Sequence, residues 1–360
     1  MRRIDGSEFS PETIKNWYIA RAYVLNKLKD VAIGPESNNH LHVVISGDSP
    51  LMLSVARQVA LSAHYANFDE VSGRNRSVIS IVSDNYDIAD QLKKEEYLCN
   101  LPDYCKHTVF GSSPKNADSY IDIELRIERN RDVVDSNGII IEMTEDDIHT
   151  FLKNTDENLL SIDTRKAVLA GRMYELGTLI DNLPNEDINS IKRYTLALDV
   201  FQHILLKRPI SSLVDEETWS KDLIKVKNGL SIIFSADCFE SRAKGIEQYC
   251  NNKKRRKEEA WAEIIEALSL SEHARWVAER LVMGYRPLNK QERIKDERLF
   301  GDVKKRYRDQ LKKRQNDPTH IDLCSNADLR RINPNDMKYD CFIMLAIPMI
   351  LKRIDITPTW

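Results

Sequence analysis

Chemistry-bearing side chains are densest between residues 271 and 285. His273, Trp276 and Arg280 stand at i, i+3 and i+7, so a helix brings them to one side. An imidazole, a large ring and a guanidinium in one strip suit a flat anionic ligand, because the ring stacks and the cations meet phosphate. Glu272, Arg275 and Glu279 repeat that spacing on the adjacent side, where opposite charges pair. The plainer alternative is a core Trp, with His and Arg satisfying backbone carbonyls. A second cluster is Ser46-Gly47-Asp48-Ser49, at the end of a β-branched run. A glycine there lets backbone approach a pyrophosphate at a helix N-terminus, whereas Asp48 puts a carboxylate in the phosphate's place. Asp84 ends a second run and is placed for a ribose diol, farther from Gly47 than the usual ~20 residues. A retained nucleotide site and a bare scaffold both stay open at Gly47, Asp48, Ser49 and Asp84. Cys99, Cys105 and His107 lack the paired ligand spacing of a zinc site, and no metal is expected.

These residues need elements to hold them. Residues 9–31 read as an amphipathic helix, with Ser10 as cap and Pro11 in its first turn. Leu41 to Gly47 and Val78 to Val82 read as buried parallel strands. Ser49 caps the helix between them, with Pro50 at its first position. Residues 86–98 read as helix. Further strands are expected at Lys106–Phe110, Tyr120–Ile127 and Gly138–Met143. Such strand-helix alternation implies a doubly wound α/β unit. From Glu145 the pattern turns helical: Asp146–Lys153, Asp163–Leu183, Asp187–Leu206 and Glu217–Asn228. Leu230–Phe234 fits either a short strand or a buried helical turn. Residues 258–284 read as one long helix ended by Gly284, with Ile264, Leu268, Ala274, Val277, Ala278 and Leu281 as its apolar stripe.

Composition narrows the class. The 360 residues hold 53 Lys and Arg against 56 Asp and Glu, a net charge of −3, so the whole chain is no polyanion-seeking basic protein. A hydrophobic share of 42% supports real cores, and the 30% charged share argues for a soluble protein. The N-terminus lacks the apolar stretch of a secretory signal. The longest apolar run, Cys341 to Leu351, contains Pro348 and is far shorter than the ~20 residues of a bilayer span. Six scattered cysteines fit reduced, buried thiols in a cytoplasmic protein. Two basic stretches, 253–257 and 293–314, are solvated faces or, as the sharper alternative, nucleic-acid contacts.

The string Ser271-Glu272-His273-Ala274-Arg275-Trp276 through Gly284-Tyr285 resembles the signature helix of the RyR domain, the small repeat of ryanodine receptors that also occurs in bacterial proteins. Tyr339-Asp340 and Ile347-Pro348 match that family's closing pattern, and His320 and Leu323 its middle pair. The resemblance covers the last quarter of the chain. The stretch from Lys290 to Asn316 is longer and more basic than the family's. The resemblance implies a non-catalytic ligand-sensing module, for nucleotide-like molecules, in signalling or anti-phage defence. The sheet unit resembles the nucleotide-binding domain of potassium-transport regulators (TrkA-N or RCK type), with its glycine fingerprint reduced to Gly47. Gly47-Asp48-Ser49 and Asp317-Pro318-Thr319-His320 also resemble the nucleophile and base blocks of GDSL hydrolases, with the oxyanion block missing.

The resulting expectation is α/β plus α. An N-terminal helix (1–34) leads to a Rossmann-like unit (35–144), a helical middle (145–257) and an RyR-type unit (258–360). The expected function is ligand sensing. A small anionic nucleotide-like molecule would bind among Glu272, His273, Arg275, Trp276, Arg280, Tyr285, Tyr339 and Asp340, and a protein partner or second copy would receive the signal. No catalytic residue or obligate cofactor is expected. A serine hydrolase through Ser49, a nucleic-acid binder and a scaffold are the alternatives.

Overall fold

The computed structural model describes residues 7–129, 135–155, 166–167, 169–171, 229–253, 257–298, 318–332 and 337–353. The expected helices Asp187–Leu206 and Glu217–Asn228 lie outside these residues, as do most of Asp163–Leu183 and most of both basic stretches.

Helix α1 (Pro11–Leu28) starts where the Thr13 amide donates to Ser10 Oγ at 3.1 Å. Its inner face buries Trp17, Ala20, Tyr23 and Val24 against α2 (Pro50–Ser62). Helix α2 is capped by Ser49 and buries every residue from Met52 to Ser62. It is therefore a central helix, covered on several sides. Around it the chain builds a five-stranded, all-parallel sheet from β1 (His40–Ser46), β2 (Ser77–Val82), β3 (Lys106–Val109), β4 (Ile123–Glu128) and β5 (Gly138–Thr144). The strand order is β3-β4-β2-β1-β5. All five expected strands are present, the fourth starting at Ile123 rather than Tyr120.

Residues 86–98 depart from expectation. Helix α3 spans only Ile88–Leu92, and turns then lead to α4 (Leu101–Tyr104). Cys99 sits at φ +45°, the left-handed region that breaks a right-handed helix. Helix α5 (Glu145–Asn154) follows β5 directly, capped by Thr144.

The sheet's two faces differ in kind. Leu41, Val43, Ile45, Ile79, Ile81, Ile123, Leu125 and Ile127 share one apolar core with α1 and α2. Strand alternation sends His42, Ser80, Glu124 and Arg126 to the other face. There Lys106 and Arg126 both donate to Glu124, at 2.8 Å each.

The C-terminal helices cover α2 from outside. Leu230–Phe234 is helical, inside α6 (Gly229–Asp237). It is followed by α7 (Phe239–Lys253) and the 26-residue α8 (Lys257–Val282). Helices α6 and α8 both pack on α2. Then come β6 (Arg286–Pro287), α9 (Lys290–Arg298), β7 (Thr319–His320), α10 (Asn326–Ile332) and α11 (Met337–Arg353). The run Cys341–Leu351 is part of α11, buried against α8. Among the described residues no helix is long and apolar enough to cross a membrane.

Candidate functional site

Helix α8 organises the site, and its C-terminus is closed firmly. Gly284, at φ +84°, follows the last turn. The Tyr285 amide donates to Arg280 O and the Gly284 amide to Leu281 O, which is a Schellman closure. Asn100, next to Cys99, clamps this end. Its amide donates to Leu281 O, and its side-chain NH2 donates to Gly284 O and Tyr285 O at 2.9 and 3.0 Å. The chain then pairs β6 with β7, which carries His320 back to α8.

Trp276 is the centre of one flank. Its half-buried ring stacks on His273 at 6.0 Å and meets the edge of His320 at 4.9 Å. The Arg280 guanidinium lies 5.2 Å from the Trp276 ring centre and 5.6 Å from that of Tyr285. Arg280 Nε is buried without a hydrogen-bond partner, and among the described residues the carboxylate that pairs with its guanidinium, Glu279, is 3.8 Å from Nη2. His273 Nε2 lies 3.2 Å from Cys324 O, so it carries the proton and donates. Burial pushes the His273 imidazole below its ordinary value, and Asp340 stands 4.0 Å from Nδ1. His273 therefore offers a neutral ring, not a cation. Tyr339 lies beside Asp340 in the first turn of α11.

Glu272 and Arg275 are placed elsewhere. They face inward from α8, with 2% and 1% of their surface exposed. Arg275 Nε donates to Glu272 at 2.9 Å and Nη1 to Glu279 at 2.7 Å, so the expected pairing within this flank forms. Arg242 of α7 donates to Glu272, and Ser231 of α6 donates to Glu279. Burial alone would raise the Glu272 carboxyl, but Arg275 and Arg242 hold it below the carboxylate range. Burial works against the Arg275 charge too, and its two glutamates more than offset that. Arg57 of α2 is lowered to about 10 by burial, against the pull of Glu279. This network ties α8 to α2, α6 and α7. It lies on the flank of α8 next to that of Trp276, with Glu279 bordering Arg280, so the residues expected to form one pocket divide between two adjacent flanks.

The β1 junction presents acids. Gly47 has φ +115°, and its amide donates to Val82 O. Asp48 accepts from Ser83 Oγ at 2.8 Å, next to exposed Asp84. Ser49 Oγ accepts from the Met52 amide and donates to Glu145 at 3.0 Å. The position, at the carboxyl ends of parallel strands, is where α/β sheets bind ligands. Its carboxylates repel a phosphate.

Ser49 is thus a helix cap hydrogen-bonded to an acid. A serine–histidine–carboxylate chain does occur, at other residues. Ser80 Oγ lies 2.9 Å from His42 Nε2, and His42 Nδ1 lies 3.0 Å from Asp135, which His40 also contacts. Ser80 and His42 are fully buried in mid-strand, where no substrate reaches Oγ. The chain satisfies polar groups inside the sheet.

Periodicity found Trp276 and its flank. It missed Asn100, Ser231 and Arg242, which local spacing cannot reveal. His320 was visible only through family resemblance, to the RyR-type pattern and to the GDSL base block. No protein-family model, curated protein or solved structure matches the chain.

Proposed function

We propose that this protein is a ligand-sensing regulator in which a Rossmann-like sheet unit supports an RyR-type C-terminal unit. The RyR-type unit binds a small anionic, nucleotide-like ligand at Trp276 and passes the event to a protein partner. Signalling, anti-phage defence and control of ion transport are the settings that the resemblance implies.

One observation carries the reading. Arg280 is a planar cation held between two rings, with a buried Nε that lacks an acceptor. A phosphate or carboxylate oxygen would supply that acceptor, and charge-assisted bonds of this kind are strong. The half-buried Trp276 ring supplies stacking surface beside it. His273 and His320 fix the ring, and Tyr285 backs the guanidinium. In this reading Glu272 and Arg275 position α8 rather than touch the ligand.

A thermal-shift screen against mono-, di- and cyclic nucleotides tests this. A ligand at one hundred times its Kd stabilises by about 2.7 kcal/mol. Trp276→Ala and Arg280→Ala should abolish that shift while the far-ultraviolet spectrum is retained. Equal stabilisation of both variants and the parent protein sinks the assignment.

A further inference from the structure

A second site lies on another side of α8. A cleft of about 1020 Å³ opens between the amino-terminal ends of the strands and the C-terminal helices. Residues 35–38 and 65–75 form one wall, and α8 and α10 form the other. The cleft contains none of the Trp276 cluster.

Its chemistry is one-sided. The Asn67 NH2 donates to Ser37 O and Asn39 O, at 2.9 and 2.7 Å. Those two carbonyls fix the amide's orientation. Asn67 Oδ1 is left as an acceptor with no partner, on a side chain 7% exposed. Asn326 repeats the arrangement from the opposite wall. Its backbone amide and its NH2 both donate to Glu70 Oε2 at 2.9 Å, so its Oδ1 is also a fixed acceptor without a partner. Two amides oriented in this way from two walls call for a donor.

The charges agree. Arg74 is committed to Asp69, and Arg330 to Glu266. Lys253 neutralises Glu36, and Asp122 faces His64. Among the described residues no Lys or Arg pairs with Glu70. The cleft therefore holds one carboxylate without a cation and two fixed amide oxygens, and its own guanidinium donors are engaged. Phe68, Leu270 and Ala274 add apolar wall suited to a methylene chain.

We infer that this cleft binds an alkylammonium or alkylguanidinium cation. The charged head meets Glu70 and the oxygens of Asn67 and Asn326, and the chain lies along Phe68 and Leu270. The Glu70–Asn326 bonds join residues 256 positions apart. An occupant thus touches the sheet unit and the C-terminal helices together, and stabilises their mutual seating.

Titration calorimetry with spermidine and with agmatine tests this in the full chain. Saturable binding of either probe is expected at fixed ionic strength, and the pair distinguishes an ammonium from a guanidinium head. Glu70→Gln keeps an acceptor for Asn326 and removes the charge, and should weaken binding about tenfold or more. Glu70→Arg places a cation in the head's position and should abolish binding. Trp276→Ala should leave the affinity unchanged, which separates this site from the nucleotide reading. No saturable binding of either probe, or equal affinity in Glu70→Gln, Glu70→Arg and the parent, overturns the proposal.

Discussion

Arg275→Met separates a structural from a ligand-binding role at the middle of α8. Methionine keeps an unbranched apolar stem like that of arginine and deletes the guanidinium with its charge. Among the described residues Arg275 is the one bonded to both Glu272 and Glu279. Without it, Glu272 keeps Arg242, and Glu279 keeps the Ser231 hydroxyl and the more distant Arg57 and Arg280. Glu279 is fully buried. Removing one partner of a buried pair typically costs about 3–5 kcal/mol, because the other charge stays desolvated. Unfolding entropy near 2.1 cal/mol/K per residue, taken over the chain, amounts to about 0.75 kcal/mol per kelvin. The expected fall in Tm is therefore about 4–7 °C. Differential scanning calorimetry measures it, and urea titration followed by tryptophan fluorescence gives an independent value. Arg275→Met combined with Glu279→Leu should recover much of the loss, since no orphan carboxylate remains there. A fall below about 1 kcal/mol in the single variant, the size of an exposed pair, would refute the network. So would a double variant as unstable as the sum of the singles.

Two further outcomes follow from other residues. Burial lowers His42, with Arg126 adding to the effect, and burial also lowers His107 and His273. The folded state therefore resists protonation that the unfolded chain accepts below about pH 6.5. Stability from these groups is full above that pH and is lost as pH falls toward the depressed values, at up to about 1.4 kcal/mol per pH unit for each group. Urea midpoints measured from pH 7.5 down to 5 should decline, and His273→Gln should flatten the slope; a midpoint constant over that range contradicts the burial. Ser49→Ala should cost about 1 kcal/mol through the lost cap and leave any ester-hydrolysis background unchanged, and a drop in turnover in that variant would restore the nucleophile reading.

Local pattern carried the elements far and their surroundings less. The β-branched runs at 41–46 and 78–82 are strands because both need apolar neighbours along one face. The alternation Ile123-Glu124-Leu125-Arg126-Ile127-Glu128 already encodes a sheet with one dry and one polar side. Helical spacing placed Trp276 with His273 and Arg280, and Arg275 with its two glutamates. Spacing reports which side chains are neighbours on a helix, and not what covers them. Arg275 meets Ser231, its partner Glu272 meets Arg242, and the clamp on Gly284 comes from Asn100, 184 positions upstream. For the same reason the cleft at Glu70 was invisible, because it exists only where residues 65–75 meet Asn326.

The burial of α2 also has a history in time. This helix is complete once residue 62 is made, whereas Val277 and Ala278, which share its apolar core, come more than two hundred positions later. At about 5–20 residues per second of synthesis, that interval is about 10–40 s. Throughout it the nascent sheet unit carries an apolar helix without its final cover. A growing chain of this layout is a natural client for holding chaperones, and its yield on expression should respond to translation speed more than its finished stability would suggest.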